Sequence, residues 1–289
     1  MSTTRRILGS TPHLPRRRID ESTPCREYLR SRLCSCHGYL TDGVFTPPLL
    51  NHYGVTNLMQ KLPPKMSKQN QSIAHRLREA GVRFFANDNI APHLSPEDRQ
   101  AILKDVEAAC DTLLRALVID IDSDHNTKDT AARLAKMYVN EVFSGRYDPP
   151  PKVTDFPNVS NLDQIYAVGP IRIRSMCSHH FMPIVGKVWV GIFPGDSVMG
   201  LSKFSRIADW IMSRPSIQEE STTQIADMVE SVIQPQGVGV VVKAKHHCCI
   251  SRGVKDDGMW MTTSVVRGSL RTNSDLKNEF FKLVEQSRD

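Results

Sequence analysis

The stretch Ile184-Val185-Gly186-Lys187-Val188-Trp189-Val190-Gly191-Ile192-Phe193, closed by Pro194-Gly195-Asp196, decides how the rest of the chain is read. It is dense in Val, Ile and Trp and ends in turn residues, so it is predicted to be a strand. Upstream, residues 164–175 set Ile171, Ile173 and Ser175 against Arg172 and Arg174, the period-two pattern of a second strand. Downstream, two helices are predicted. Residues 203–214 carry Phe204, Ile207, Ala208 and Ile211 on one face and stop before Pro215; residues 218–233 repeat Ile225, Met228, Val229 and Val232. Residues 237–247 read as a strand with Val238, Val240 and Val242 on one face, and 261–270 as another. A last helix opens at Ser274 and buries Leu276, Phe280, Leu283 and Val284.

Working back from that block, Ser95 is an N-cap, Pro96 stands at the first helical position and Asp98 lies in the first turn. Ile102, Val106, Ala109, Leu113 and Leu117 then recur at helical spacing. A second helix is predicted over 128–143, with Leu134, Met137, Tyr138 and Val142 on one face and Gly145 ending it. The resulting fold class is α+β: an antiparallel sheet of two hairpins separated by a helix pair, preceded by N-terminal helices, with helices packed on one face. Such a sheet leaves edges that oligomerisation can cover.

Composition excludes several classes. Of 289 residues, 40% are hydrophobic and 24% charged, ordinary values for a soluble globular protein. No apolar run is long enough to span a membrane, and residues 1–14 lack the apolar segment of a secretory signal. The net charge of +6 sits entirely in residues 1–65, with ten Lys or Arg against four Asp or Glu. Such a tail can touch nucleic acid or acidic membrane, but its composition is that of a solvated or processed extension, so neither partner is expected. Three origins compete for it: a disordered extension, an organelle transit peptide, or sequence upstream of a start at Met66. The seven cysteines are odd in number and irregular in spacing, which points to a reducing, cytoplasmic setting. Cys34-Ser35-Cys36-His37 has no second ligand pair and reads as non-metal sequence.

Two other clusters carry chemistry. Cys177-Ser178-His179-His180 follows the first strand, and Lys245-His246-His247-Cys248-Cys249 ends the third. A Cys-x-x-His pair plus one distant Cys makes a three-ligand set. That leaves the fourth tetrahedral position of a catalytic zinc for water, whose pKa the metal lowers. A four-ligand structural zinc, completed by Cys249 or His247, stays open on the residues alone.

These residues resemble the GTP cyclohydrolase I family. The matching motifs are Asp129 through Tyr138 (with Thr130-Ala131-Ala132-Arg133), Cys177-Ser178-His179-His180-Phe181, Gly200-Leu201-Ser202-Lys203 with Arg206, Arg214-Pro215-Ser216-Ile217-Gln218-Glu219, and His246-His247-Cys248 with Arg252-Gly253-Val254. The resemblance covers residues 94–283. It implies a T-fold that assembles into an oligomeric barrel, a decamer of two stacked pentamers with active sites at subunit interfaces. It implies one Zn2+ per subunit on Cys177, His180 and Cys248. The implied reaction opens the guanine imidazole ring of GTP, releases formate and yields 7,8-dihydroneopterin triphosphate. By resemblance His179 is the general acid at N7, and His246 and Ser202 transfer protons later. Glu219 recognises guanine, with Gln218 beside it and Leu201 nearby. Lys203, Arg206 and Arg252 hold the triphosphate, helped by Arg133 and Lys136 from an adjoining subunit. The product can feed folate, tetrahydrobiopterin or 7-deazaguanine synthesis, and the sequence does not choose.

The implied domains are an extension over 1–65, a linker or N-terminal arm over 66–93, and a catalytic domain over 94–289, with helices in 95–145 and the T-fold in 162–289. Three departures stand out: Glu220 where relatives often carry Arg, Ala131 for a common Pro, and Met259-Trp260-Met261 in a loop usually richer in Ser and Thr. Glu220 bears on anion binding or a subunit contact. Two rivals differ in kind. T-fold relatives of pyruvoyltetrahydropterin synthase bind zinc through three histidines, and a nitrile-reductase relative needs a nucleophilic Cys without this metal set. A non-catalytic zinc module with a nucleic-acid-binding tail predicts no GTP turnover and salt-sensitive binding.

Overall fold

The computed structural model describes residues 67–287. The extension over 1–65 and its Cys34-Ser35-Cys36-His37 cluster lie outside them. Helix α1 (Lys68–Glu79) is capped by Ser67 and packs Ile73 and Leu77 beneath Ile90. It falls in the stretch read as a linker or arm. Helix α2 (Pro96–Ala116) begins as the sequence predicts, with a complete capping box between Ser95 and Asp98. Its predicted apolar face is only partly covered. Ile102 and Val106 are half-buried, Leu113 and Leu117 are 55% and 62% exposed, and the buried residues are Cys110 and Leu114, which the predicted face does not include.

The second predicted helix is shorter and irregular. Helix α3 (Thr130–Lys136) passes into a π-turn (Met137–Val142) and then into the short α4 (Ser144–Tyr147). Gly145 therefore does not terminate a helix. Its role is close approach, since a Cβ there would fall 1.9 Å from the carbonyl oxygen of Trp210.

A two-stranded sheet pairs β1 (Asp155–Pro157) with β4 (Ser197–Met199). The main sheet holds β2 (Tyr166–Cys177), β3 (Pro183–Phe193), β5 (Pro215–Ser216), β6 (Gly237–His246) and β7 (Met261–Gly268), in the order β5-β2-β3-β6-β7. The hairpins β2-β3 and β6-β7 are those the sequence predicts, and β3 joins them by pairing antiparallel to β6. The pair between them is α5 (Leu201–Met212) and α6 (Gln218–Ile233). After β6 come α7 (His247–Ile250), α8 (Ser269–Thr272) and α9 (Ser274–Gln286). The short β5 runs parallel to β2, an exception to the expected antiparallel sheet.

Helices cover both faces of the sheet, not one. Val188, Val190, Ile192, Val238, Val240 and Val242 pack against Phe204, Ile207, Ile225 and Val229 of α5 and α6. The opposite side chains, Trp189 and Val241, pack against Phe280 and Val284 of α9. Gly191 and Gly239 make room for the Phe280 ring, which lies 2.3 Å and 2.6 Å from where their Cβ atoms would be. Among the described residues no helix is long and apolar enough to cross a membrane.

Asp98 joins α1 to α2. It accepts from the Ser95 N–H, from Gln69 and from Arg76. Burial opposes its charge, but the Ser95 N–H and the two side-chain donors outweigh that and hold its pKa below the ordinary value. A lowered carboxyl pKa contributes stability above the unfolded pKa and loses it as pH falls through the folded one. Asp98→Ala is expected to cost about 1–3 kcal/mol at neutral pH in urea denaturation. The gap from wild type should narrow as pH falls below the ordinary aspartate pKa.

Candidate active site and metal centre

The turn from β2 to β3 carries Cys177, His179 and His180. The Cys177 N–H donates to the Met182 carbonyl at 2.8 Å and the Phe181 N–H to the Cys177 carbonyl at 2.9 Å. Phe181 adopts φ +49°, a conformation side chains rarely take, as strained turns at functional sites often require. From the other side β5 pins the turn, with Ser178 N–H donating to Ser216 O at 3.1 Å. Cys248 arrives from α7, directly after β6.

Cys177, His180 and Cys248 place their ligand atoms within 4.8 Å of one another. Tetrahedral zinc with Zn–S and Zn–N bonds of the usual length needs ligand separations of about 3.3–3.8 Å, so the group contracts by at most on the order of 1 Å to hold an ion. The donor chemistry fits as well. Burial first, then the Cys177 and Cys249 thiols, push the Cys248 thiol far above its ordinary pKa, so a cation is what makes a pair of thiolates tenable there. Cys249 lies 3.9 Å from Cys248, sulfur to sulfur, and His247 contacts Ser251 Oγ at 3.2 Å. Neither belongs to the ligand group. His179 stands beside it, its Nδ1 3.8 Å from the Cys177 sulfur.

His246 closes β6 opposite Ile184, and its Nε2 lies 2.9 Å from Gln218 Oε1. Burial lowers its pKa, while the charge of the exposed Glu219 pulls the other way. Arg252 follows α7 and is exposed. All these groups gather at one end of the sheet. Leu201, Ser202 and Lys203 do not, and Arg206 is exposed midway along α5. Helix α5 begins where β3 ends and returns to β5 beside Cys177, so its 12 residues put Ser202 about 15 Å or more from the metal ligands of the same chain. Lys203 there donates to the Lys152 carbonyl at 3.3 Å. Arg133 pairs with Asp129 at 3.5 Å on the exposed side of α3, and Lys136 is also exposed.

Three residues matter in ways the sequence reading missed. Arg214 is 4% exposed, stacks 3.9 Å from the Trp210 ring, and donates to Gly145 O at 3.0 Å and Asn87 O at 3.1 Å. Burial pushes its pKa down to about 10. Glu220 accepts from Asn87 Nδ2, so it and Arg214 both tie residue 87 to the segment entering α6. Gln218 is fully buried, a position that a polar residue at a helix start does not announce. An apolar cavity of about 420 Å³ beside the turn, lined by Val106, Leu113, Tyr138, Phe143 and Phe181, includes none of the predicted site residues.

Comparison with known proteins gives the family. A family model described as GTP cyclohydrolase I matches residues 106–285. The chain belongs to the GTP cyclohydrolase I family. It is 33% identical over 222 residues to GTP cyclohydrolase 1 of Enterobacter sp. (strain 638), covering 76% of this chain and 98% of that one. It is 35% identical over 191 residues to GTP cyclohydrolase 1 of Actinobacillus pleuropneumoniae serotype 5b (strain L20), covering 66% and 87%. It is also 35% identical over 194 residues to GTP cyclohydrolase 1 of Yersinia pseudotuberculosis serotype O:1b (strain IP 31758), covering 67% and 86%. The chain is an enzyme of that family.

The purified protein is expected to carry about one divalent metal ion per chain. Elemental analysis should find it lost in Cys177→Ala and Cys248→Ser and kept in Cys249→Ser. Full metal content in Cys248→Ser would move the ligand role elsewhere.

Proposed function

We propose that this enzyme hydrolyses the imidazole ring of GTP, releasing formate and forming 7,8-dihydroneopterin triphosphate, with zinc held by Cys177, His180 and Cys248. The observation that carries the reading is the convergence of those three ligand atoms with His179, His246 and Glu219 at one end of the sheet. Zinc bound there supplies the Lewis acidity that makes water a nucleophile at neutral pH. His179, next to the ligand group, protonates N7 and makes C8 electrophilic. His246 and Ser202 carry protons in the later ring opening and reclosure. Glu219 is exposed and ionisable, suited to accept from the guanine ring N–H and amine.

The triphosphate needs several cations. Arg252 is at hand within the chain. Lys203 lies at the far end of α5, Arg206 midway along it, and Arg133 and Lys136 on α3, and we assign these and Ser202 to the same site through neighbouring subunits. Exposed Leu113 and Leu117 on α2 and the outer edge of β7, unpaired among the described residues, support a homo-oligomer. A barrel of two stacked pentamers, with residues 94–289 as the catalytic domain, is the assembly we propose.

Incubation of zinc-loaded protein with GTP should release formate and, after oxidation, fluorescent neopterin. Cys248→Ser should reduce both by at least about 100-fold. A zinc-replete oligomer that leaves GTP intact would overturn the reading.

A further inference from the structure

Gln218 is 1% exposed and its amide is spent on the protein. Its Nε2 lies 3.1 Å from Val242 O, 3.2 Å from Met261 O and 3.1 Å from Thr263 Oγ1. The two carbonyls only accept, so the amide atom facing them is nitrogen. Turning the amide over would set an oxygen against two buried carbonyl oxygens and leave all three without a donor. The threonines agree with this direction. Thr222 Oγ1 donates to Gln218 O at 2.7 Å, so in the 2.7 Å contact between Thr222 and Thr263 the hydrogen comes from Thr263. The Thr263 hydroxyl is then left to accept from Gln218.

The other end of the amide follows. Gln218 Oε1 faces His246 Nε2 at 2.9 Å, and an amide oxygen only accepts. His246 Nε2 must therefore carry a hydrogen and donate it. We infer that Gln218 is a positioning residue that fixes His246 as the Nε2–H tautomer, leaving Nδ1 as the atom that takes and returns protons during the reaction. The bond to Gln218 survives in both protonation states of the ring, because Nε2 donates in each. With two hydrogens already facing three acceptors, the Gln218 amide has none to offer guanine, and recognition of the base falls to Glu219. This inference rests on the proposed chemistry at this site, but the tautomer can be read without turnover.

Two measurements test it. In zinc-loaded wild-type protein with ¹⁵N-labelled histidine, solid-state NMR with His246→Gln as the difference control should show a protonated Nε2 and an unprotonated Nδ1 in the neutral ring. The opposite tautomer, or a mixture, overturns the inference whether or not GTP is turned over. In kinetics, Gln218→Met should lower kcat by about 10–100-fold with KM for GTP changed less than about threefold, at unchanged zinc content and oligomeric state. A KM raised tenfold or more with kcat intact would instead make Gln218 a substrate contact and sink the proposal. Absence of turnover in wild type would count against the cyclohydrolase reading and leave the NMR result to decide the tautomer.

Discussion

Strand β3 lies between β2 and β6, and its register with both is the constraint on which the site depends. Ile184 stands opposite Ser175 on one side and His246 on the other. Cys177 lies two residues beyond Ser175, and Cys248 two residues beyond His246, so two ligands some 70 positions apart in sequence leave the sheet side by side. A slip of one residue would separate them and turn Val188, Val190 and Ile192 away from α5 and α6. Both faces of β3 are buried, one beneath α5 and α6 and the other beneath Phe280 of α9, so such a slip is costly in either direction. The helices that bury the sheet are what hold the candidate metal ligands in register.

The direction of the chain after β3 has a consequence for function. Because α5 starts at the end of the sheet remote from Cys177, its polar N-terminal turn, with Ser202 and Lys203, cannot serve the metal centre of its own chain. The other end of the connection does. Arg214, Pro215 and Ser216 bring the chain back beside Cys177, and the start of α6 sets Gln218 and Glu219 next to His246. In the proposed oligomer one segment contributes to two sites, one in its own chain and one in a neighbour. That arrangement couples catalysis to assembly without any moving part.

Much of this was legible in the sequence, for identifiable reasons. Strand β2 alternates because its arginines face out while Ile173 and Ser175 face in, and α5 and α6 show helical spacing because each buries a single stripe. The Cys/His clusters stood out because their residue types are rare together. The second layer was not legible, because the Phe280 ring fits among Trp189 and Val241 only where Gly191 and Gly239 leave room, and a missing side chain carries no pattern. Gly145 was misread for a related reason: its meaning lies in Trp210, 65 residues away. Helix α1 offers only Ile73 and Leu77 to the core and so shows little periodicity. The setting of Gln218 depends on carbonyls of β6 and β7, which no local pattern reveals. The distance of Ser202 from the metal ligands became visible only once the strand order was known.

The central claim is that a working site draws its metal half from one chain and its α5 half from another. Mixing separately inactive Cys177→Ala and Lys203→Ala chains, after dissociation and reassembly into verified hybrid oligomers, tests it directly. If sites are shared, random pairing leaves roughly one site in four intact, and formate release should recover to about a quarter of the wild-type rate. Hybrids that assemble fully yet stay as inactive as their parents would place every catalytic group within a single chain and contradict the account.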